Sequence, residues 1–322
     1  MKKYNVWTPV KLKDVPTDAK VLSSTWSMKK KANSISRARF NARGYEEVDG
    51  VQYNGTSIAA PVTNELSVRI LIVTMLMADW VGHVLDVKGA FLRGEFEPNQ
   101  PPIYIQVPEG FEKFYPICCV LLLLHTIYGL KEAAIAFWRE ILKAFKHMGY
   151  NPNKTDSCLY FKWTVLGNLI VWLSCVCFGR AQDATAATDE MECDDVGEFD
   201  EYIGCQVIRE NKKLKLIQPV LIHSFVDEFE IEEETSAETA GAPGAVLTPV
   251  QNEIDAVRTE VQTKFRSGIG KLLHLMRWSR PDIRNAVRDL SRHGQKSNMA
   301  HLKAMKRCMK YCIQTREMGW ER

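Results

Sequence analysis

Alternating and helically spaced apolar positions divide the 322-residue chain into a β-rich front and a helical back. Over residues 20–40, "KVLSSTWSMKKK" and "ISRARF" flank Asn33-Ser34, which predicts a β-hairpin whose second strand alternates basic residues. "NELSVRILIVTMLMADW", residues 64–80, predicts a strongly apolar helix with Asn64 as its N-cap. A short strand, "VLDVKGAF", follows, and "PPIYIQVP" reads as a Pro-bounded strand suited to a sheet edge. Residues 132–148 predict a helix with Phe137, Ile141, Phe145 and Met148 on one face and Gly149 as its stop.

"CLYFKW" and "LIVWLSCVCFG" then read as strands rich in aromatic and β-branched residues, separated by a Gly167-Asn168 turn. After an acidic helical piece, with Asp183 as a cap, "EYIGCQVIRE" and "KKLKLIQP" form another hairpin around Asn211. Residues 231–260 are acidic and contain Gly, Ala and Pro, the composition of a linker. The remaining residues interleave basic and apolar positions at helical spacing. Antiparallel hairpins with segregated helices indicate the α+β class, not a βαβ chain.

Charge changes this picture only locally. The net charge is +3, so a nucleic-acid surface has to come from clustering. Lys29, Lys30, Lys31, Arg37, Arg39 and Arg43 form one basic cluster, and Lys303, Lys306, Arg307 and Lys310 another; residues 183–240 are acidic. The nine cysteines include no C-x-x-C pair. Cys118-Cys119 and Cys175/Cys177 lie in apolar runs and read as buried thiols, which implies a reducing intracellular compartment, cytoplasmic or nuclear. "MKKYNVWTPV" lacks the apolar core of a secretory signal, and "ICCVLLLLHTIYGL" is too short to span a membrane. That segment reads as a buried strand.

Candidate chemistry begins at "VLDVKGAFLRGE", residues 84–95, where Asp86 ends an apolar run before a Lys-Gly-Ala turn. A carboxylate so placed looks like half of a metal site. Residue pattern alone leaves it a lone acid beside two basic clusters.

Several motifs, in order along nearly the whole chain, resemble the reverse transcriptase of copia-type retrotransposons. They are "RARFNARGYEEVDGVQYNGTSIAAPV", "LDVKGAFLRGE", "IYIQVPEGF", "IYGLKEAAIAFW" and "FRSGIGKLLHLMRWSRPDIRNAVRDLSRH". The resemblance implies an RNA-directed DNA polymerase with fingers and palm around an antiparallel palm sheet, followed by a helical connection. It places fingers and palm at 1–228, an acidic linker at 229–262 and the helical connection at 263–322, with no RNase H domain. The implied partners are an RNA or DNA template–primer and a deoxynucleoside triphosphate.

The implied reaction is two-metal nucleotidyl transfer, with Mg²⁺ held by a few carboxylates. By resemblance, Asp86 is the catalytic acid and metal ligand, and the Val87 carbonyl a second metal contact. Arg37 and Arg39 would approach the nucleotide triphosphate, and guanidinium forks suit phosphate. Phe91 would bar a ribose 2′-hydroxyl, and Lys131, in "YGLK", would contact template and nucleotide. For each, the plain structural alternative is an exposed hairpin face or a core ring. Glu132 stands where many members carry Gln. Lys303, Lys306, Arg307 and Lys310 would follow the phosphates of the duplex, or form a solvated helix face.

The family's second acid motif, an aromatic-x-Asp-Asp on a hairpin, is missing. No acidic residue lies between Asp156 and Asp183. The flanks survive as Trp172-Leu173-Ser174 and Cys175-Val176-Cys177-Phe178-Gly179, as though the residues between Ser174 and Cys175 had been removed. Hydroxyl and thiol groups are poor Mg²⁺ ligands. Asp194-Asp195, in an acidic stretch, reads as a solvated loop. The expectation is therefore a catalytically inactive copy; a weakly active enzyme using another acid, and a non-enzymatic nucleic-acid-binding remnant of a polyprotein, are the alternatives.

Overall fold

The computed structural model describes residues 4–30, 36–173, 175–189, 193–210, 213–232, 234 and 236–321. The chain divides into Met1–Met75 with Trp80–Val196, and Leu76–Asp79 with Gly197–Arg322. In chain order the elements are β1 (Trp7–Lys11), β2 (Val21–Leu22), β3 (Ser24–Lys30), β4 (Ser36–Ala42), α1 (Glu65–Met77) and β5 (Val81–Val87). They continue with β6 (Tyr104–Ile105), β7 (Cys119–Leu123), α2 (Ala133–His147), β8 (Asn151–Pro152), β9 (Leu159–Trp163) and β10 (Leu169–Leu173). β11 (Val176–Gly179), α3 (Ala181–Asp189) and β12 (Cys193–Glu198) follow.

The basic hairpin forms as the alternation predicts, with Trp26 opposite Phe40 and Lys29 opposite Arg37. Its turn, including Lys31 and Asn33-Ser34, lies outside the described residues. α1 starts at Asn64, whose Oδ1 accepts the Leu66 N–H at 2.9 Å. β6 departs from expectation. It lies inside the sheet β1-β7-β6-β2, between β7 and β2. Pro101, Pro102 and Pro108 fall outside its paired residues, so their missing N–H groups break no ladder bond.

The second sheet runs β12-β5-β11-β10-β9-β8. The apolar stretch "LIVWLSCVCFG" is divided there into β10 and β11, paired antiparallel with Leu173 opposite Val176. α2 covers this sheet, its Phe145 ring 4.4 Å from Tyr160 and 5.3 Å from Trp172. All three side chains are buried; on the predicted face of α2, Phe145 is buried while Phe137, Ile141 and Met148 are half-buried. A separate core of Phe40, Leu22, Ile105 and Leu121 joins the basic hairpin to the four-stranded sheet.

Two readings of side chains are corrected. Cys118 and Cys175 are exposed. Both sit at turns, Cys118 with φ 58° just before β7 and Cys175 between β10 and β11, where apolar neighbours in sequence do not become neighbours in space. Asp183 is not a cap; it lies in the first turn of α3 and accepts a hydrogen bond from Asn168 Nδ2 at 2.9 Å.

In the second unit β13 (Glu201–Tyr202), β14 (Cys205–Glu210) and β15 (Lys213–Ile217) precede α4 (Pro219–Phe229), α5 (Thr259–Trp278), α6 (Arg284–Ser291), α7 (Met299–Gln314) and β16 (Trp320–Glu321). The sheet order is β13-β14-β15-β16. The turn of the β14–β15 hairpin at Asn211 lies outside the described residues. The helices bury Phe225, Phe229, Phe265, Leu272 and Met309 against one another. Between α4 and α5, Ile231 and Ala237 are buried, and the Ala237 N–H donates to Gln314 Oε1 at 2.8 Å. Helices and largely antiparallel sheets segregated in this way make an α+β chain.

Candidate functional site

β5 and β11 build the first part of the site. Val84 lies opposite Val176, and the Leu85 N–H donates to the Cys175 carbonyl at 2.9 Å. Asp86, the next residue, is exposed beside the β10–β11 connection. It opens onto a cleft of about 330 Å³ whose walls include Val87, Phe91, Phe137, Trp138 and Cys175. Tyr160 also lines this cleft, and burial pushes its hydroxyl up to about 12, so it is a neutral phenol at ordinary pH.

Phe91 sits on a short 3₁₀ turn, Ala90–Leu92, that follows β5. Its carbonyl accepts a hydrogen bond from the Thr126 hydroxyl at 2.7 Å. Its ring meets Tyr128 edge-on at 5.0 Å and Phe137 at 5.9 Å. Arg37 and Arg39 project from β4 as exposed side chains, and the Arg39 guanidinium lies 5.4 Å from the Tyr128 ring centroid. Tyr128 thus bridges the hairpin cations to the Asp86 cleft.

The segment carrying Lys131 is fixed to the hairpin's base. The Ala42 N–H donates to the Tyr128 carbonyl at 2.8 Å. The approach is so close that a Cβ on Gly129, whose φ is +95°, would lie 2.1 Å from the Ala42 oxygen. Lys131 itself donates its backbone N–H to Glu47 Oε2 at 2.9 Å, and its Nζ reaches the Tyr53 hydroxyl at 2.6 Å. Glu47 is buried; desolvation, aided by the charge of Glu132, pushes its carboxyl up to about 7. Glu132 is buried as well, is raised chiefly by desolvation, and accepts a hydrogen bond from Gln100 Nε2.

Sequence reasoning missed Glu47. An acidic pair following Gly44-Tyr45 reads as solvated, and only Glu46, bonded to the Ser23 N–H at 2.7 Å, stays partly in solvent. Nothing in the local pattern shows that the second acid turns inward.

The structure therefore groups Asp86, Val87 and Phe91 around one cleft, with Arg37 and Arg39 next to it through Tyr128 and Lys131 on the adjoining turn. The C-terminal cations belong to the second unit. Lys303, Lys306, Arg307 and Lys310 share one face of α7 by their spacing. Lys303 is exposed, Lys306 and Lys310 are half-buried, and Arg307 Nη2 donates to the Thr239 hydroxyl at 3.1 Å.

Among the described residues the donor set does not fit a pair of Mg²⁺ ions. Among the described residues no three His, Cys, Asp or Glu side chains converge, and Asp86 is the acid in its cleft lining. Ser174 lies outside the described residues. Asp194 and Asp195, expected in a loop, are on β12, the strand next to β5. No described helix is long and apolar enough to cross a membrane.

A family model described as reverse transcriptase (RNA-dependent DNA polymerase) matches residues 4–243. The chain is 27% identical over 319 residues to the retrovirus-related Pol polyprotein from transposon TNT 1-94 of Nicotiana tabacum, covering 94% of this chain and 24% of that protein. It is 25% identical to the corresponding polyprotein from transposon RE1 of Arabidopsis thaliana, covering 94% and 21%. A putative transposon Ty5-1 protein of Saccharomyces cerevisiae is 25% identical, over 73% of this chain and 77% of its own length. The chain spans about a quarter or less of the two plant polyproteins it matches.

Proposed function

The chain belongs to the reverse transcriptase (RNA-dependent DNA polymerase) family, among copia-type retrotransposon polyproteins, and from that premise we propose a polymerase domain that grips nucleic acid without extending a primer. In this reading β3–β4 is the fingers hairpin, the six-stranded sheet is the palm, and the C-terminal helices are the connection. The bounds taken from the resemblance are 1–228 for fingers and palm, 229–262 for a linker and 263–322 for the helical connection; the first runs past the division after Val196, and α4 packs in the helical core.

One observation carries the proposal. The hairpin beside Asp86 is connected by residues 174 and 175, with Leu173 opposite Val176, and neither connecting residue is an acid. In-line displacement needs carboxylates that fix metals on both the attacking and the leaving oxygen. Asp86 and the Val87 carbonyl supply only one side of such a clamp. Losing several kcal/mol of transition-state stabilisation costs orders of magnitude in rate.

Nucleic-acid binding does not share that requirement. Arg37, Arg39 and Lys131 on one unit, and Lys303, Lys306 and Lys310 on the other, offer cationic donors to phosphate oxygens. The chain thus acts as a non-enzymatic nucleic-acid-binding remnant of its family.

The test is primer extension on an RNA template with Mg²⁺ and then Mn²⁺, beside an Asp86→Asn variant, with binding to the hybrid measured in parallel. The expected outcome is hybrid binding by both proteins and extension by neither. Extension by the parent, lost in Asp86→Asn, would mean that another carboxylate completes the site.

A further inference from the structure

A second cleft of the first unit, walled by aromatic side chains, shares Tyr128 with the surroundings of Phe91. It encloses about 710 Å³ between the hairpin and residues 108–115, with Trp7, Trp26, Phe111, Phe114 and Tyr128 among its walls. Trp26 stacks on Phe111 with centroids 5.5 Å apart and an interplanar angle of 28°. Phe111 continues to Phe114 at 5.8 Å. This row ends in solvent, since Phe111 is 42% and Phe114 66% exposed. Core aromatics are not left in that state, and a row of exposed ring faces is what a planar ligand stacks on.

The charge around the row selects the ligand. The charged residues of the cleft wall are Arg37 and Arg39, both cationic. Lys29 lies opposite Arg37 in the hairpin and Lys113 lies 5.1 Å from the Phe114 ring, while Glu109 and Glu112 are carried by the same loop outside the wall. A proline-rich peptide would also suit exposed aromatic rings, but it has no use for the guanidinium groups. A single-stranded nucleic acid uses both: bases for the rings, phosphates for the arginines.

Position adds a third argument. Tyr128 lines this cleft, Phe91 lines the Asp86 cleft, and the two rings touch edge-on at 5.0 Å. That ring contact links the walls of the two clefts. We infer that the Trp26–Phe111–Phe114 row is a stacking site for unpaired bases of a single strand that runs on from the Asp86 cleft, its phosphates held by Arg37 and Arg39. The inference rests on the nucleic-acid-binding reading above and adds a base-stacking site to it.

The test compares labelled (dT)12 with an abasic deoxyribose-phosphate strand of the same length, for the whole chain and for Phe111→Ala and Phe114→Ala. These rings are outside the buried cores, and circular dichroism checks that each variant is folded. The parent is expected to bind (dT)12 more tightly than the abasic strand, and each substitution to weaken (dT)12 by about tenfold while leaving the abasic strand unchanged. Equal parental affinity for the two strands, or equal losses on both in the variants, overturns the stacking site and leaves nucleic-acid binding standing. Displacement of (dT)12 by a proline-rich peptide, insensitive to Arg37→Ala, overturns it in favour of a protein ligand. Failure of the parent to bind either strand brings down the binding reading as well.

Discussion

Leu173 on β10 and Val176 on β11 face one another directly, so the hairpin tip beside Asp86 is turned by residues 174 and 175 alone. The shortened hairpin keeps its packing. Trp172, Leu173, Val176 and Cys177 are all buried, and the Leu85 N–H still finds the Cys175 carbonyl at 2.9 Å. A connection of this length satisfies the sheet, and its two residues are a serine and a cysteine rather than an acid pair.

Inserting Trp-Val-Asp-Asp between Ser174 and Cys175 is therefore expected to create primer extension in Mg²⁺. The gain should vanish when Asp86→Asn is added, because both sides of the metal clamp are then needed. A four-residue Gly-Ser insertion serves as the control for length. A folded, hybrid-binding insertion protein that never extends the primer would place the defect somewhere other than this turn.

Glu47 predicts a pH dependence of stability. Its folded-state value of about 7 stands above the ordinary 4.5, so the native state binds the proton more tightly than the unfolded chain does. The stabilisation is complete below pH 4.5 and is lost as pH rises through about 7, for a total on the order of 3 kcal/mol. Urea titrations of the parent at pH 5 and pH 8 should show that loss. Glu47→Gln keeps an oxygen for the Lys131 N–H and carries no charge, so its curve should be flatter and its stability at pH 8 higher. Glu132, raised in the same direction, leaves some slope behind. A parental stability that rises between pH 5 and pH 8 would contradict the assignment.

How much of this was legible in the sequence depended on whether the information was local. Period-two alternation gave the basic hairpin, and the face shared by Phe137, Ile141 and Phe145 gave α2, because each pattern is set by the element's own geometry. The burial of Glu47 was not legible, since it is decided by a turn 84 residues away that brings the Lys131 N–H to it. The β10–β11 break was invisible to the residue pattern, and it was the resemblance that placed it between Ser174 and Cys175. With the acid pair gone, "LIVWLSCVCFG" is an unbroken apolar run, and pairing with β5 and β9 shows where it reverses. Asp86 stood out in the pattern as an acid ending an apolar run, but only the resemblance gave it a role.

Gly129 carries a backbone contact as tight as any in the site. At φ +95° with the Ala42 oxygen 2.1 Å from the place of a Cβ, Gly129→Ala meets both a strained backbone and an overlap with main chain. The expected cost is more than about 3 kcal/mol, because the overlapping atom cannot rotate away. Denaturant unfolding measures it. Gly110, with a positive φ of 82° but nothing near its Cβ position, is the comparison, and Gly110→Ala should cost about 1 kcal/mol. Similar losses at both positions would mean that strain, not the close approach to Ala42, dominates.

The two basic clusters should separate by salt dependence. Arg37 and Arg39 are exposed on β4 and lie outside the buried core beneath the hairpin. Replacing both by Ala should leave unfolding unchanged, weaken hybrid binding across sequences, and lower the slope of log affinity against log salt by about 1 to 2. Lys303, exposed on α7, should behave in the same way with a smaller effect. Arg307 is different, since its guanidinium donates to Thr239 and holds the segment after α4 against α7. Arg307→Ala is expected to reduce stability by about 1 to 2 kcal/mol with little change in the salt slope. If instead Arg307→Ala flattens the slope while Arg37→Ala/Arg39→Ala does not, the phosphate contacts lie on the helical unit and the hairpin arginines serve some other purpose.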